Sequence, residues 1–294
     1  MLVGTPIGNM GDLTPRAVET LAGADLVCCE DTRRTGRLLS HAGVRAAKLL
    51  TVNDHTETRA IAEVVARVAA GERVVIVTDA GMPGVSDPGE RMVRAVAAEG
   101  HRIEVVPGPS AVVSALVVSG LATGRFAFEG FLPRKGSGRS RRLALLADEQ
   151  RTVVLYEAPH RLARTLADLS QACGGQRGVA LARELTKLHE EVWRGSLAEA
   201  STWVADHPPR GEFVVVLEGA PQPVEPDDAA VYEAVRDALT RGLTARDAAN
   251  ETARTLGVAR RRAYAAATDA AVGDTDDKPM IAHPGPADGN GCRH

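Results

Sequence analysis

Short runs rich in β-branched residues recur along the first third of the chain, at Leu2–Gly4, Asp25–Cys29, Leu49–Val52, Arg73–Val77 and Ile103–Val106. Helix-period segments separate them. Several runs are continuously apolar rather than alternating. Strands read that way when both faces are covered, and strands alternating with helices fold as a mostly parallel α/β sheet. Helix punctuation fits this pattern. Thr14 is placed to cap a helix with Pro15 at its first position. Thr56 is placed to cap a second helix, whose face carries Ile61, Val64, Val65 and Val68 and which Gly71 ends. Asp87, Pro88 and Glu90 read as the capping-box-like start of a third, closed by Gly100.

The next third predicts strands at Arg125–Phe128, Thr152–Tyr156, Gly178–Ala182, Glu191–Arg194 and Phe213–Leu217, the later ones close enough together for a mixed sheet. Ser196 with Glu199 forms a capping box opening the helix that carries Trp203. A Pro-rich linker spans Ala220–Pro226. Beyond it, Asp228–Arg241, Thr244–Leu256 and Val258–Ala271 read as helices, the last two broken at Gly257. The expected organisation is an α/β domain over 1–107, a second over 108–220, a helical module over 228–271 and a disordered tail over 273–294.

Composition narrows the function classes. With 44% hydrophobic residues the chain can fill full cores. A net charge of −3 excludes a globally basic nucleic-acid binder, so such contact must use local patches. Aromatic content of 3% argues against base-stacking platforms. Cys28, Cys29, Cys173 and Cys292 form no CxxC pair, and no metal-ligand cluster stands out among the eight histidines, so no metal is expected. The apolar region 105–122 is broken by Pro107, Gly108 and Pro109, a poor membrane span. No signal peptide is read, and a cytoplasmic location is expected.

Gly-, Pro- and Asp-rich loops follow four predicted strand ends: Gly4–Asn9, Thr78–Gly89, Pro107–Ala111 and Glu129–Pro133. Ligands of open α/β sheets sit beyond the C-terminal ends of strands. Glycine lets backbone approach a ligand closely, and proline holds a loop rigid. One such loop is only a turn signal; several in one chain favour a shared cleft. No GxGxxG follows the first strand and no GxxxxGKS or GxxxxGKT occurs, which argues against dinucleotide binding and P-loop phosphoryl transfer.

Charged residues offer further candidates. Glu30 and Asp31 end a strand before Arg33 and Arg34, a signature that an ordinary helix cap also produces. Arg183–Lys187 reads either as an ion-paired surface loop or as a phosphate grip. His160 follows a strand end; His55 is expected to be structural. Arg134, Lys135, Arg139, Arg141 and Arg142 lie in nine residues without an acid, made flexible by Gly136 and Gly138. In an acidic protein that unevenness favours phosphate contact over a merely solvated loop. Arg260, Arg261 and Arg262 form a second, weaker patch.

The segments LVGTPIGNMGDLTPRAVETL, CCEDTRRTGRLL, VTDAGMPGVSDPG, VPGPSA, FEGFLPRKG, LYEAPHR, LARELTKLHEE and GEFVVVLEG resemble the bacterial 16S rRNA (cytidine-2′-O-)-methyltransferases, a branch of the tetrapyrrole methylase superfamily. The resemblance runs from Leu2 to Gly219. It implies two α/β domains of tetrapyrrole methylase type with S-adenosylmethionine in the cleft between them, followed here by a small C-terminal helical module. By matched position, Pro6 lines the floor of that cleft. Asp79, Ala80, Gly81 and Pro83 approach the methionine part, and Ser110 and Ala111 cover the donor. Leu132, Tyr156, Ala182, Glu212, Phe213 and Val214 flank the adenosine.

The resemblance further implies in-line attack of a ribose 2′-hydroxyl on the donor methyl, with a general base drawn from Glu30, Asp31, Asp79, His160, Lys187 and Glu190. Glu30, Asp31, Lys187 and His160 are the catalytic candidates. Lys187 alternatively stabilises a developing alkoxide. Arg33 and Arg183 join the 134–142 residues on the RNA side. The implied partner is 16S rRNA within the 30S subunit, and the implied assembly a homodimer. Two alternatives stay open: a small-molecule methylase acting on a tetrapyrrole or diphthine precursor, and a non-catalytic ribosome-assembly factor. Small-molecule members carry GxGPG and GDPxxYG loops where this chain has Gly4-Thr-Pro-Ile-Gly8 and Asp79-Ala-Gly-Met-Pro-Gly84.

Overall fold

The computed structural model describes residues 1–45, 48–52, 56–222 and 225–273. The readings of His55 and of the tail beyond Gly273 lie outside the described residues. The chain forms two compact units, Met1–Pro221 and Gln222–His294.

In the first unit, β1 (Leu2–Val3), β2 (Leu26–Cys29), β3 (Leu49–Thr51), β4 (Val74–Ile76) and β5 (Val105–Val106) form a sheet of order β3-β2-β4-β1-β5. All of its pairings are parallel. β2 and β4 are buried at every residue, as continuous apolar runs require. Val3, Val27, Cys29, Val75 and Val77 pack on one side with α1 (Pro15–Ala22) and α2 (Thr32–His41). Leu26, Cys28, Val74 and Ile76 pack on the other with α3 (Glu57–Ala69) and α4 (Glu90–Ala98). Burial pushes the Cys28 thiol up to about 12, so it acts as core filler.

The chain then passes through α5 (Ala111–Val118) into β6 (Phe126–Phe131), α6 (Gly136–Asp148), β7 (Thr152–Glu157), α7 (Pro159–Cys173), β8 (Gly178–Arg183), β9 (Glu191–Ser196), α8 (Leu197–Asp206) and β10 (Phe213–Leu217). These strands form a second sheet, order β6-β7-β10-β8-β9. It is mixed: β6 and β7 run parallel, while β10 is antiparallel to both its neighbours. One face packs on α5, the other on residues of α6, α7 and α8.

The Thr14 cap forms, its hydroxyl accepting from the Ala17 N–H at 3.1 Å, and so does the Ser196–Glu199 capping box. Two other caps differ from expectation. Thr56 occupies the N-cap position of α3 without a side-chain capping bond, and its hydroxyl donates to the Thr51 carbonyl at 3.3 Å. Asp87 does not cap α4, which begins at Glu90 after Gly89. Instead the buried Glu57 carboxylate, brought over by α3, accepts from the Gly89 N–H at 3.1 Å.

The largest correction concerns 134–142. It is not a flexible loop, because Gly136 opens α6. Leu143 and Leu146 pull that helix onto the core of the second sheet. Arg139 is 4% exposed; it donates to Asp168 at 2.7 Å, to the Pro133 carbonyl at 3.0 Å and to the Thr165 hydroxyl at 3.0 Å. A guanidinium so buried and paired ties α6 to α7 and offers nothing to a phosphate.

The second unit contains α9 (Asp228–Thr240), α10 (Ala245–Leu256) and α11 (Arg260–Gly273) around Val231, Val235, Ala249, Ala263 and Ala267. Gly257, at φ +67°, ends α10. Arg262 pairs with Asp228 at 2.6 Å. No helix among the described residues is long and apolar enough to cross a membrane.

Candidate active site

The glycine- and proline-rich segments after β1, β4 and β5 meet the ends of β6, β7 and β8 around a cavity of about 310 Å³. β10 contributes its start rather than its end, because it runs opposite to β7 and β8. Register then sets a row across the sheet: Phe131 opposite Tyr156, Tyr156 opposite Val214, Val214 opposite Ala182. All of this row lines the cavity.

Phe131 reaches the row through an irregularity. The β6–β7 register shifts between Phe128 and Gly130, so Glu129 is an extra residue and Gly130 sits at φ +59°. The bulge reverses the alternation of sides. Phe128 and Phe131 therefore both meet the Tyr156 ring, at centroid distances of 5.0 and 5.5 Å. Leu132, the expected adenosine contact, is 2% exposed and packs in the core of the second sheet instead.

The loops of the first sheet are locked to each other. The Thr5 N–H donates to the Gly81 carbonyl at 2.9 Å, and the Gly81 N–H returns to the Thr5 carbonyl at 3.1 Å. Gly81 holds φ +87°, a conformation that side chains resist. Gly4 and Gly108 touch backbone to backbone. A Cβ on Gly4 would lie 2.6 Å from the Gly108 nitrogen.

An acidic cluster flanks the second loop. Thr78 donates its hydroxyl to Glu30, and the Asp79 N–H donates to the same carboxylate at 3.1 Å. Asp79 lies 3.4 Å from Arg34, and its Oδ1 is buried without a hydrogen-bond partner among the described residues. Burial, then the Glu30 charge, raise its pKa. Asp87 lines the cavity and is pushed up to about 6 by burial first, then by Glu30, while a hydrogen bond from Thr78 works the other way. Asp31 behaves differently. It caps α2 by accepting from the Arg33 N–H at 2.8 Å, and hydrogen bonds from the Arg33 guanidinium hold it down at about 2.

Across the cavity, Lys187 donates to Glu184 at 2.9 Å and to Glu212 at 2.8 Å. Burial opposes its charge, but these hydrogen bonds outweigh burial and the net shift is upward. The segment carrying it is conformationally unusual, with Glu184 at φ +49° and Thr186 at φ +65°. For a β-branched residue that is a strained position, held here by the Asn9 N–H donating to the Thr186 hydroxyl at 3.1 Å.

Of the expected site residues, Ala80, Gly81, Ser110, Ala111, Tyr156, Ala182, Lys187, Glu212, Phe213 and Val214 line the cavity. Pro6, Asp79, Pro83, Glu30 and Asp31 do not line it. Next to Pro6, Ile7 does. His160 is exposed, one residue beyond the lining Pro159. Arg183 donates to the Arg210 carbonyl at 2.8 Å and pairs with Glu191 at 3.2 Å, away from the lining. Met82, Val85, Ser86, Asp87 and Leu185 line the cavity without having been expected there. Of these, Asp87 is the titratable one, and its local resemblance to a helix cap hid it. On the basic segment, Arg134, Lys135 and Arg141 are exposed, whereas Arg142 pairs with Glu129 at 3.0 Å. Among the described residues no group of His, Cys, Asp or Glu is arranged to hold a metal.

Residues 1–201 match the family model described as Tetrapyrrole (Corrin/Porphyrin) Methylases. The chain is 43% identical over 265 residues to the ribosomal RNA small subunit methyltransferase I of Synechocystis sp., covering 90% of this chain and 95% of that protein. Its likeness to the protein of the same name from Thermotoga maritima is 46% over 219 residues, 74% of this chain and 97% of that one. Among solved structures, uroporphyrin-III C-methyl transferase from Thermus thermophilus, complexed with S-adenyl homocysteine, superposes with a TM-score of 0.51 at 19% identity, over 72% of this chain and 94% of that chain.

Proposed function

Since this chain belongs to the tetrapyrrole (corrin/porphyrin) methylase family, it is an S-adenosylmethionine-dependent methyltransferase, and we propose that its acceptor is the 2′-hydroxyl of a cytidine in small-subunit ribosomal RNA. The near-full-length likeness to proteins named ribosomal RNA small subunit methyltransferase I carries this reading.

The residues present fit the donor. Gly4, Gly81 and Gly108 bring backbone where a side chain would collide or strain, which lets a ligand approach closely. The apolar row from Phe131 to Ala182 suits a flat ring. Asp87 on the lining, with the charges of Glu30 and Asp79 beside it, suits a positive charge. On this reading Tyr156, Phe213 and Val214 hold the adenosine and Ser110 and Ala111 cover it. When bound, the donor supplies an electrophilic methyl group.

The protein's own part is to hold acceptor oxygen and donor in line, exclude water and manage one proton. Lys187, kept protonated by Glu184 and Glu212, serves as a fixed cation rather than a base. Exposed Arg134, Lys135 and Arg141 supply phosphate contacts. We take 1–107 and 108–220 as the two α/β halves and 228–271 as a helical module. We place the reaction in the cytoplasm, on the 30S subunit, and assign it to a homodimer, for which exposed Val113 and Val117 on α5 offer an apolar face.

The test is transfer of labelled methyl to 30S subunits, naked 16S rRNA and a tetrapyrrole precursor offered in parallel. One ribose-methylated cytidine in the 30S sample is the expected result. Label on the tetrapyrrole instead would overturn it, and donor binding without any transfer would point to a non-catalytic factor.

A further inference from the structure

Resting on the ribose-methylation reading, we propose that Phe131 stacks against the base of the acceptor nucleotide, so that the cavity takes two rings, one from the donor and one from the RNA. The apolar row is too long for one. Phe131, Tyr156, Val214 and Ala182 lie opposite one another on four neighbouring strands. Three strand spacings carry the row across about 14 Å, more than a single purine ring fills. Its two ends differ. Ala182 and Val214 are small, and they share an apolar cluster with Val112 and Ala115 of α5 and with Ala111 at the start of that helix. Ala111, which covers the donor on that reading, thus belongs to this end. At the other end Phe131 lines the cavity and is still 53% exposed.

The β6 bulge puts the ring there. In a regular strand Phe131 would point to the side opposite Phe128. Glu129, the extra residue, is held by Arg142 at 3.0 Å, and Gly130 lies so near Ser86 of the segment after β4 that a Cβ on it would stand 3.1 Å from the serine oxygen. Bulges beside active sites re-aim a side chain in this way. The Tyr156 ring meets Phe131 tilted by 57° rather than stacked, so it does not cover the exposed ring. An apolar ring left open at a cavity wall gains when a flat partner covers it. The residues that follow indicate the partner. Arg134 and Lys135, both exposed, come within about 14 Å of extended chain after Phe131. A ring for the base beside cations for the backbone is how proteins grip unpaired nucleotides. Aromatic content of 3% argues against a stacking platform, but one acceptor nucleotide needs only one ring.

Two consequences follow for the acceptor. With its base at one end of the row and the donor ring at the other, the ribose lies between them, which in-line transfer to the 2′-hydroxyl requires. The nucleotide must also leave its own stack to reach Phe131, so the enzyme favours an acceptor that is already unpaired. Stacking engages the face of the base and not its edge, so Phe131 holds the acceptor nucleotide without choosing between pyrimidines.

Three substitutions in the full-length protein test this. Phe131→Ala removes the ring, Phe131→Leu keeps apolar bulk against Tyr156 without an aromatic face, and Phe131→Tyr keeps the face. With 30S subunits as acceptor, kcat/KM should fall by roughly 5–150-fold in the alanine variant and stay low in the leucine variant. The tyrosine variant should remain within about threefold of wild type, and donor affinity by calorimetry should do so in all three. Subunits reconstituted with an abasic ribose at the methylated position separate stacking from structure. Wild type and the alanine variant should bind these with equal affinity, because no base is left to hold. Near-wild-type kcat/KM in the alanine variant overturns the proposal, as does a leucine variant that matches tyrosine. So does equal weakening on intact and abasic subunits. Collapse of donor binding in a folded variant also overturns it, since Phe131 would then be a donor contact. Should the alanine variant not fold, the contrast between leucine and tyrosine decides. A wild-type protein that binds donor yet methylates no RNA overturns the ribose-methylation reading itself, and this assignment with it; an active wild type beside an equally active alanine variant overturns this assignment alone.

Discussion

Gly4 and Gly108 approach so closely that neither tolerates a side chain: a Cβ on Gly108 would stand 2.8 Å from the Gly4 carbonyl carbon. The obstacle is backbone on both sides, which cannot swing away. Gly4→Ala should therefore destabilise the first unit by about 1–3 kcal/mol and weaken donor binding. Gly36→Ala is the control. It lies within α2 with nothing within 4 Å of a new Cβ, so it should raise stability by roughly 0.5–1 kcal/mol. Thermal melts and donor calorimetry on both variants check the contrast.

The basic segment divides into two kinds of arginine. Arg139→Ala leaves half-buried Asp168 with only the longer Arg164 contact at 3.8 Å and should cost about 3 kcal/mol, visible as a lower denaturation midpoint. Replacing Arg134, Lys135 and Arg141 together by alanine should leave stability within about 0.5 kcal/mol per site. That variant should instead bind RNA more weakly, with the slope of log affinity against log salt shallower by about 0.7–0.9 for each phosphate no longer neutralised. Equal salt slopes in variant and wild type would remove these side chains from the RNA surface.

Asp87 should also mark the stability profile. It binds its proton more tightly folded, at about 6, than at its ordinary 3.8. Between those values the folded state holds more protons than the unfolded chain, so stability falls as pH rises through the window. Asp87→Asn removes that penalty. Its melting temperature should exceed wild type at pH 8, and the advantage should vanish near pH 4. Parallel melting curves across this range would contradict it.

Glu30 acts on Asp87 through charge. Glu30→Gln removes a negative neighbour, so the Asp87 carboxyl should ionise more readily, and its ¹³C-detected titration should move to lower pH. A titration that stays in place would detach Glu30 from it.

Strand positions were legible because a strand covered on both faces leaves a continuous apolar run, as in Leu26–Cys29 and Phe213–Leu217. Side-chain partners were less so. A cap motif is local, and nothing around Asp87 indicates that Glu57, some thirty residues earlier, reaches Gly89 first. A charge run does not say which of its arginines meets an aspartate on the next helix, as Arg139 does. The exchange of Leu132 for Phe131 came from a bulge, an insertion that strand periodicity cannot register until the neighbouring strand is known. The cavity loops were readable because glycine and proline mark backbone directly.

β10 is the last strand of the second sheet in the chain but the middle one in space, between β7 and β8. During synthesis β6 to β9 emerge first, and β7 and β8 must wait with facing edges unpaired until Phe213–Leu217 arrives. The wall formed by Phe213 and Val214 does not exist before then. A nascent chain, or one cut short of Phe213, thus carries nearly all the residues that would grip a methyl donor and still lacks the closed surface to keep one. The cavity wall is thus complete only once Phe213–Leu217 has paired with both of its neighbours.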